Sequence, residues 1–117
     1  MKEYALALDL KDNPEAIEKY RQHHQAVWPE VEEALRAVGI INMKIWQLGN
    51  RLFMRYTAPN DFDPEKDMVR YAKMHPRIAE WEALMAQFQQ PLPQAGPGEK
   101  WLHMEKVFEL NPGPDAD

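Results

Sequence analysis

Tyr20 and His24 stand four residues apart in the stretch YRQHHQAVWPE, which runs from Tyr20 to Glu30. On a helix that spacing sets a phenol and an imidazole one above the other on the same face. Imidazole has a reference pKa of about 6.5, so it can take up or release a proton near neutrality. The chain has no serine and no cysteine, and Thr57 is its only threonine. Hydroxyl and thiol nucleophiles are thereby nearly excluded, which leaves histidine, tyrosine and carboxylates as proton carriers.

The face that carries the pair matters as much as the pair. Ile17, Tyr20, His24, Val27, Val31, Leu35 and Val38 recur at intervals of three and four, the stripe a helix buries. Glu18, Arg21, Gln22, Gln25, Glu32 and Arg36 occupy the opposite, solvated side. An inward Tyr–His pair reads either as a hydrogen-bonded core pair or as a pocket wall. Trp28-Pro29 favours the wall. Pro29 lacks an N–H and crowds the carbonyl of Gln25, so the helix should kink or restart there. A restart with Pro29 at its first position leaves free backbone N–H groups beside His24.

Other residues offer less. Trp81 shares a helical stripe with Ile78, Leu84, Met85 and Phe88, and reads as core or as a flat platform for a sugar ring. Asp9 falls on the strand face opposite Leu8 and Leu10, either exposed near a strand end or packed against something else. Neighbouring helical side chains diverge by about 100°, so His23 and His24 do not converge on one ion, and His23 is expected to tolerate alanine. His75 and His103 lack partners at ligand spacing. No metal is expected, and there is no glycine-rich phosphate loop.

These residues need elements to hold them. Tyr4 to Leu10 alternates as a strand. Asn13-Pro14 caps the organising helix, which ends near Gly39. Ile41 to Leu48 and Arg51 to Thr57 are strands joined by the hairpin signal Gly49-Asn50. A helical pattern runs from Pro64 to Gln90, with a break at His75-Pro76. Pro91 to Gly98 is a loop, and Trp101 to Leu110 is the last strand. The order is an α+β, ferredoxin-like βαββαβ arrangement: an antiparallel four-stranded sheet with helices on one face. The other face carries Asp9, Phe53 and either Trp46 or Trp101, too apolar to stay wet, so a second subunit is expected there in a homodimer of the dimeric α/β barrel type.

The 117 residues make one domain, spanning 1–110, with a disordered tail at 111–117. The formal charge of −5 with scattered basic residues speaks against nucleic acid. No apolar run is long enough to span a membrane, and no signal peptide is visible, so a cytoplasmic location is expected.

The stretch YRQHHQAVWPEVEEAL, with Gly49-Asn50-Arg51 and the PGEKW run at Pro97 to Trp101, resembles the L-rhamnose mutarotase family over residues 1 to 110. Such proteins are small ferredoxin-like dimers that interconvert the anomers of 6-deoxy sugars without a cofactor. The resemblance implies a monosaccharide substrate, with His24 as proton donor and Tyr20 as a substrate ligand. It departs at Met43, where the rhamnose enzymes have a tyrosine, and at Glu80-Trp81, where they have a tryptophan pair. Met43 and the segment EWEALMAQFQQPLP resemble the L-fucose branch, which implies L-fucose first and L-rhamnose second, with Trp81, Glu80, Met43, Trp28 and Asp9 as sugar contacts. The partner of His24 in proton transfer stays open among Tyr20, Glu80, Asp9 and water. Two other classes share such a fold: a non-catalytic dimeric ligand-binding module, and a heme- or quinone-handling monooxygenase.

Overall fold

The computed structural model describes residues 1–112. Strand β1 (Lys2–Leu10) lies at the centre of an antiparallel sheet and sets its register. Along one edge it pairs with β3 (Arg51–Ala58), Leu6 opposite Met54 and Leu8 opposite Leu52. β3 pairs in turn with β2 (Asn42–Leu48), Ile45 opposite Met54. The turn at Gly49 has φ +59°, the left-handed conformation the hairpin requires.

The far edge of β1 is shared by two short strands, β4 (Gln89–Gln90) against Asp9 and Leu10, and β5 (Leu102–His103) against Leu6 and Ala7. The sequence pattern extends the second helical segment to Gln90 and the last strand from Trp101 to Leu110. Instead the helix stops at Ala86, because Gln89 and Gln90 join the sheet before Pro91 and Pro93 remove the next donors. The last strand is cut to two residues plus the bond from the Met104 N–H to the Ala5 carbonyl, 2.7 Å. Beyond it Val107, Phe108 and Leu110 are exposed, since alternation alone supplies no edge to pair with. The tail expected to be disordered lies, from residue 113, outside the described residues.

Four helices cover one sheet face. Helix α1 (Pro14–His23) starts at Asn13, whose side chain accepts the Ala16 N–H at 2.8 Å. It stops at His23, and α2 (Pro29–Ala37) restarts with Pro29 at its first position and no side-chain cap from Trp28. α3 (Pro64–Lys73) and α4 (Pro76–Ala86) are separate helices, each opened by a capping side chain, Asp63 and His75. Leu8, Leu10, Leu52 and Ile78 are sealed between sheet and helices.

The uncovered sheet face carries Ala7, Trp46, Phe53 and Met104 around a groove of about 310 Å3. Trp46 stacks on Phe53 at 5.4 Å. Of the two candidate tryptophans it is Trp46 that lies here. Trp101 packs toward the helix side.

Candidate functional site

His24 is the residue that ends α1. Its backbone N–H and its ring Nδ1 both meet the carbonyl of Tyr20, at 3.2 and 2.9 Å. A carbonyl oxygen only accepts, so Nδ1 carries the proton and Nε2 of the neutral ring presents a lone pair. The Tyr20 ring stacks on the imidazole at 4.2 Å between centroids, and the edge of Trp81 stands 5.5 Å away. Burial among these rings pushes the His24 pKa down. The Tyr20 carbonyl opposes that, and the neighbouring His23 adds to it. The ring is therefore held neutral and oriented, with its basic nitrogen available.

One cavity borders this pair, and a second lies next to the first. Tyr20, Arg21, His24, Gln25, Ile45 and Gln47 are among the walls of one, of about 500 Å3. A second, of about 570 Å3, lies beneath α3 and α4 and has Met43, Met54, Tyr71, Glu82, Lys100 and Trp101 in its walls. Ile45 of the first and Met54 of the second are register partners on one sheet face, so the cavities are neighbours. Both volumes fall in the ~300–1,000 Å3 range of small-molecule sites. Tyr20 belongs to both neighbourhoods. Its ring packs on His24, while burial first, and then the charge of Glu82, raise the pKa of its hydroxyl. The Gln89 side chain acts against that rise, and its Oε1 is buried with no partner among the described residues.

The sequence-predicted residues divide. Tyr20, His24 and Met43 line the cavities. Trp81 is buried at 5% exposure and backs His24, and Trp28 meets it edge to face at 5.3 Å under the Arg77 guanidinium. Glu80 is exposed and bonds Arg77 at 3.2 Å, away from both cavities. Asp9 is buried on the opposite sheet face, where Arg51 takes both carboxylate oxygens at 2.8 and 3.1 Å. It is neither exposed nor brought to His24. His23 is also not free: it is half-buried and stacks on Phe88 at 5.6 Å.

Glu82 is the carboxylate that sequence reasoning passed over. Its spacing, four after Ile78 and three before Met85, was the available signal. The residue as a whole is exposed, but protein crowds its carboxyl group and raises its pKa, with Lys100 and the Tyr71 hydroxyl acting against that. Tyr71 donates its hydroxyl to Glu82 Oε1 at 3.3 Å. Among the described residues no group of histidines and carboxylates is arranged to hold a metal ion, and no helix is long and apolar enough to cross a membrane.

The state of His24 has a measurable consequence. Nitrogen-15 side-chain NMR at pH 7.5 should show the Nδ1–H tautomer, with a titration midpoint below the 6.5 of a free imidazole. Since the folded form binds this proton less tightly, its contribution to stability is complete above pH 6.5 and declines as pH falls through that value. The urea midpoint should accordingly drop from pH 7.5 to 5.5 by more in the native protein than in His24→Gln. An Nε2–H tautomer or a raised midpoint would contradict the assignment.

The chain is similar to known proteins over most of its length. A family model described as L-rhamnose mutarotase matches residues 3–110. An L-fucose mutarotase of Xanthomonas campestris pv. campestris is 41% identical over 113 residues, which cover 95% of this chain and 90% of that protein. An L-rhamnose mutarotase of Burkholderia orbicola is 32% identical over 111 residues, covering 90% of this chain and 96% of its own. The crystal structure of an L-rhamnose mutarotase from Formosa agariphila superposes with a TM-score of 0.68 at 20% identity, covering 94% of this chain and 99% of its own, a likeness of fold. The chain belongs to the L-rhamnose mutarotase family, whose members are isomerases acting on sugar anomers.

Proposed function

We propose that the protein interconverts the α and β anomers of a 6-deoxy hexose, L-fucose in preference to L-rhamnose, with His24 as a proton carrier. One observation carries this reading: an imidazole that lines a cavity and whose Nδ1 is committed to the Tyr20 carbonyl, which leaves its other nitrogen as the base. Anomer exchange requires exactly one kind of chemistry, proton movement at two oxygens. The anomeric hydroxyl loses a proton as the C1–O5 bond opens, and the ring oxygen gains one. Rotation about C1–C2 followed by closure gives the other anomer. A neutral imidazole serves the first step directly, and its protonated form returns the proton on closure.

The preference for L-fucose rests on two things. Identity to the L-fucose mutarotase is 41%, against 32% for the L-rhamnose mutarotase. The two sugars also differ in which ring hydroxyl is axial, at C4 in L-fucose and at C2 in L-rhamnose. A site matched to one arrangement leaves polar groups unpaired with the other, at a cost of about 1–3 kcal/mol per group. Met43, in the cavity wall, offers no hydroxyl to either sugar. Glu80, the acceptor expected from the sequence, faces Arg77, so a carboxylate contact with the sugar falls to the cavity wall, where Glu82 and Glu65 stand.

The protein is further proposed to act as a homodimer joined through the open sheet face. Trp46, Leu48, Phe53 and Met104 around the groove on that face form an apolar surface of the kind a second copy covers.

Three outcomes are expected. His24→Ala, still folded, should lose roughly a hundredfold or more in anomer exchange by saturation-transfer NMR; unchanged exchange would remove His24 from the mechanism. Native protein should exchange L-fucose faster than L-rhamnose, by about tenfold for each 1.4 kcal/mol of discrimination; equal or reversed rates would overturn the substrate preference. Light scattering at micromolar concentration should give twice the 13.7 kDa chain mass, and a monomer would refute the packing argument.

A further inference from the structure

We propose that Glu82 is the second proton carrier of the exchange, serving the hemiacetal oxygen that His24 does not; the inference rests on the mutarotase reading above. Its position motivates this. Glu82 follows Trp81, whose edge backs the His24 ring, and it lies in the cavity that adjoins the one bordered by His24. Tyr20 links the two, with its ring stacked on His24 and its hydroxyl within the electrostatic reach of the Glu82 carboxylate. The cavity wall is otherwise largely apolar, with Leu6, Met43, Met54 and Met68.

The charged and titratable groups that line this cavity with Glu82 come from several elements: Tyr56 of β3, Glu65 and Tyr71 of α3, and Lys100 and His103 near β5. Tyr20 faces it from α1. Tyr71 fixes the carboxyl by donating to Oε1 at 3.3 Å. Lys100 favours its charged form, but crowding outweighs both and raises its pKa above 4.5, while burial lowers that of His24 below 6.5. A carboxyl group whose charged form is disfavoured can serve as the acid while a neutral imidazole serves as the base.

The steps balance. On opening, Nε2 of His24 takes the O1 proton as the C1=O1 bond forms and C1–O5 breaks, and the Glu82 carboxyl gives its proton to O5. After rotation about C1–C2, the Glu82 carboxylate recovers the O5 proton, O5 attacks C1, and His24 returns its proton to O1. The pair holds one proton between its members at the start and at the end.

The test is Glu82→Gln in the full chain, an isosteric change whose amide oxygen still accepts from Tyr71. With thermal unfolding unchanged, kcat for L-fucose anomer exchange should fall roughly a hundredfold or more. KM should stay within a few-fold, and a bell-shaped pH profile should collapse to a single limb. Formate should restore exchange to Glu82→Ala. Near-native kcat with both limbs kept would overturn the proposal. So would a loss confined to KM, which would make Glu82 a hydroxyl-binding group only. Native protein that exchanges neither sugar would overturn the mutarotase reading and this assignment together, whereas active native protein with an indifferent Glu82→Gln overturns the assignment alone.

Discussion

The Tyr20 carbonyl organises the site by accepting from His24 twice, once from the backbone and once from the ring. The backbone bond closes the last turn of α1, and the ring bond decides which imidazole nitrogen is basic. Both depend on the helix stopping there. Had α1 run on past Gln25, the next turn would have surrounded the ring with main chain; Pro29 removes that possibility and starts α2 afresh. Carbonyls at a helix C-terminus favour a protonated imidazole, yet burial between Tyr20 and Trp81 prevails and keeps the ring neutral. A base that is neutral, oriented and half-buried follows from a single break in a helix.

The rest of the fold keeps that geometry in place. α4 brings Trp81 against His24 because Ile78 and Met85 anchor it on the sheet. Trp28 packs on Trp81 and is covered by Arg77, which also reaches Glu30 and Glu80 at 3.6 and 3.2 Å. These exposed ion pairs contribute little energy by themselves. Their effect is to hold the Arg77 guanidinium over Trp28 at the start of α2. On the other side of the sheet, the Asp9–Arg51 pair ties the β1–β3 register at the end nearest the hairpin.

Much of this was legible in the sequence, for physical reasons. Period-three-and-four spacing put Tyr20 inward, and it is 4% exposed. Pro14, Pro64 and Pro76 start helices where proline belongs, and Gly49-Asn50 makes the hairpin. What escaped depends on contacts distant in sequence. Asp9 meets Arg51 across 42 residues, so its burial follows from register and not from local pattern. Glu82 drew no reading from the sequence, because a carboxylate at the margin of an apolar stripe carries no local mark of a site. Only the cavity under α3 and the Tyr71 hydroxyl distinguish it. Glu80 was preferred because it stands where the rhamnose enzymes carry one tryptophan of a pair, although one position along a helix from Trp81 turns a side chain by about 100°. The last strand was overextended because alternation records two faces, whereas pairing needs a free edge, and β4 already occupies part of it.

The central claim is that a sugar meets the free nitrogen of a neutral His24. Its most direct test is to follow both ring nitrogens of His24 by nitrogen-15 NMR while L-fucose is added to saturation. The account predicts that the Nε2 resonance shifts as that nitrogen accepts a sugar hydroxyl, while Nδ1 keeps the signature of its bond to Tyr20. Saturation with sugar that leaves Nε2 unmoved, or that breaks the Nδ1 bond, would contradict it.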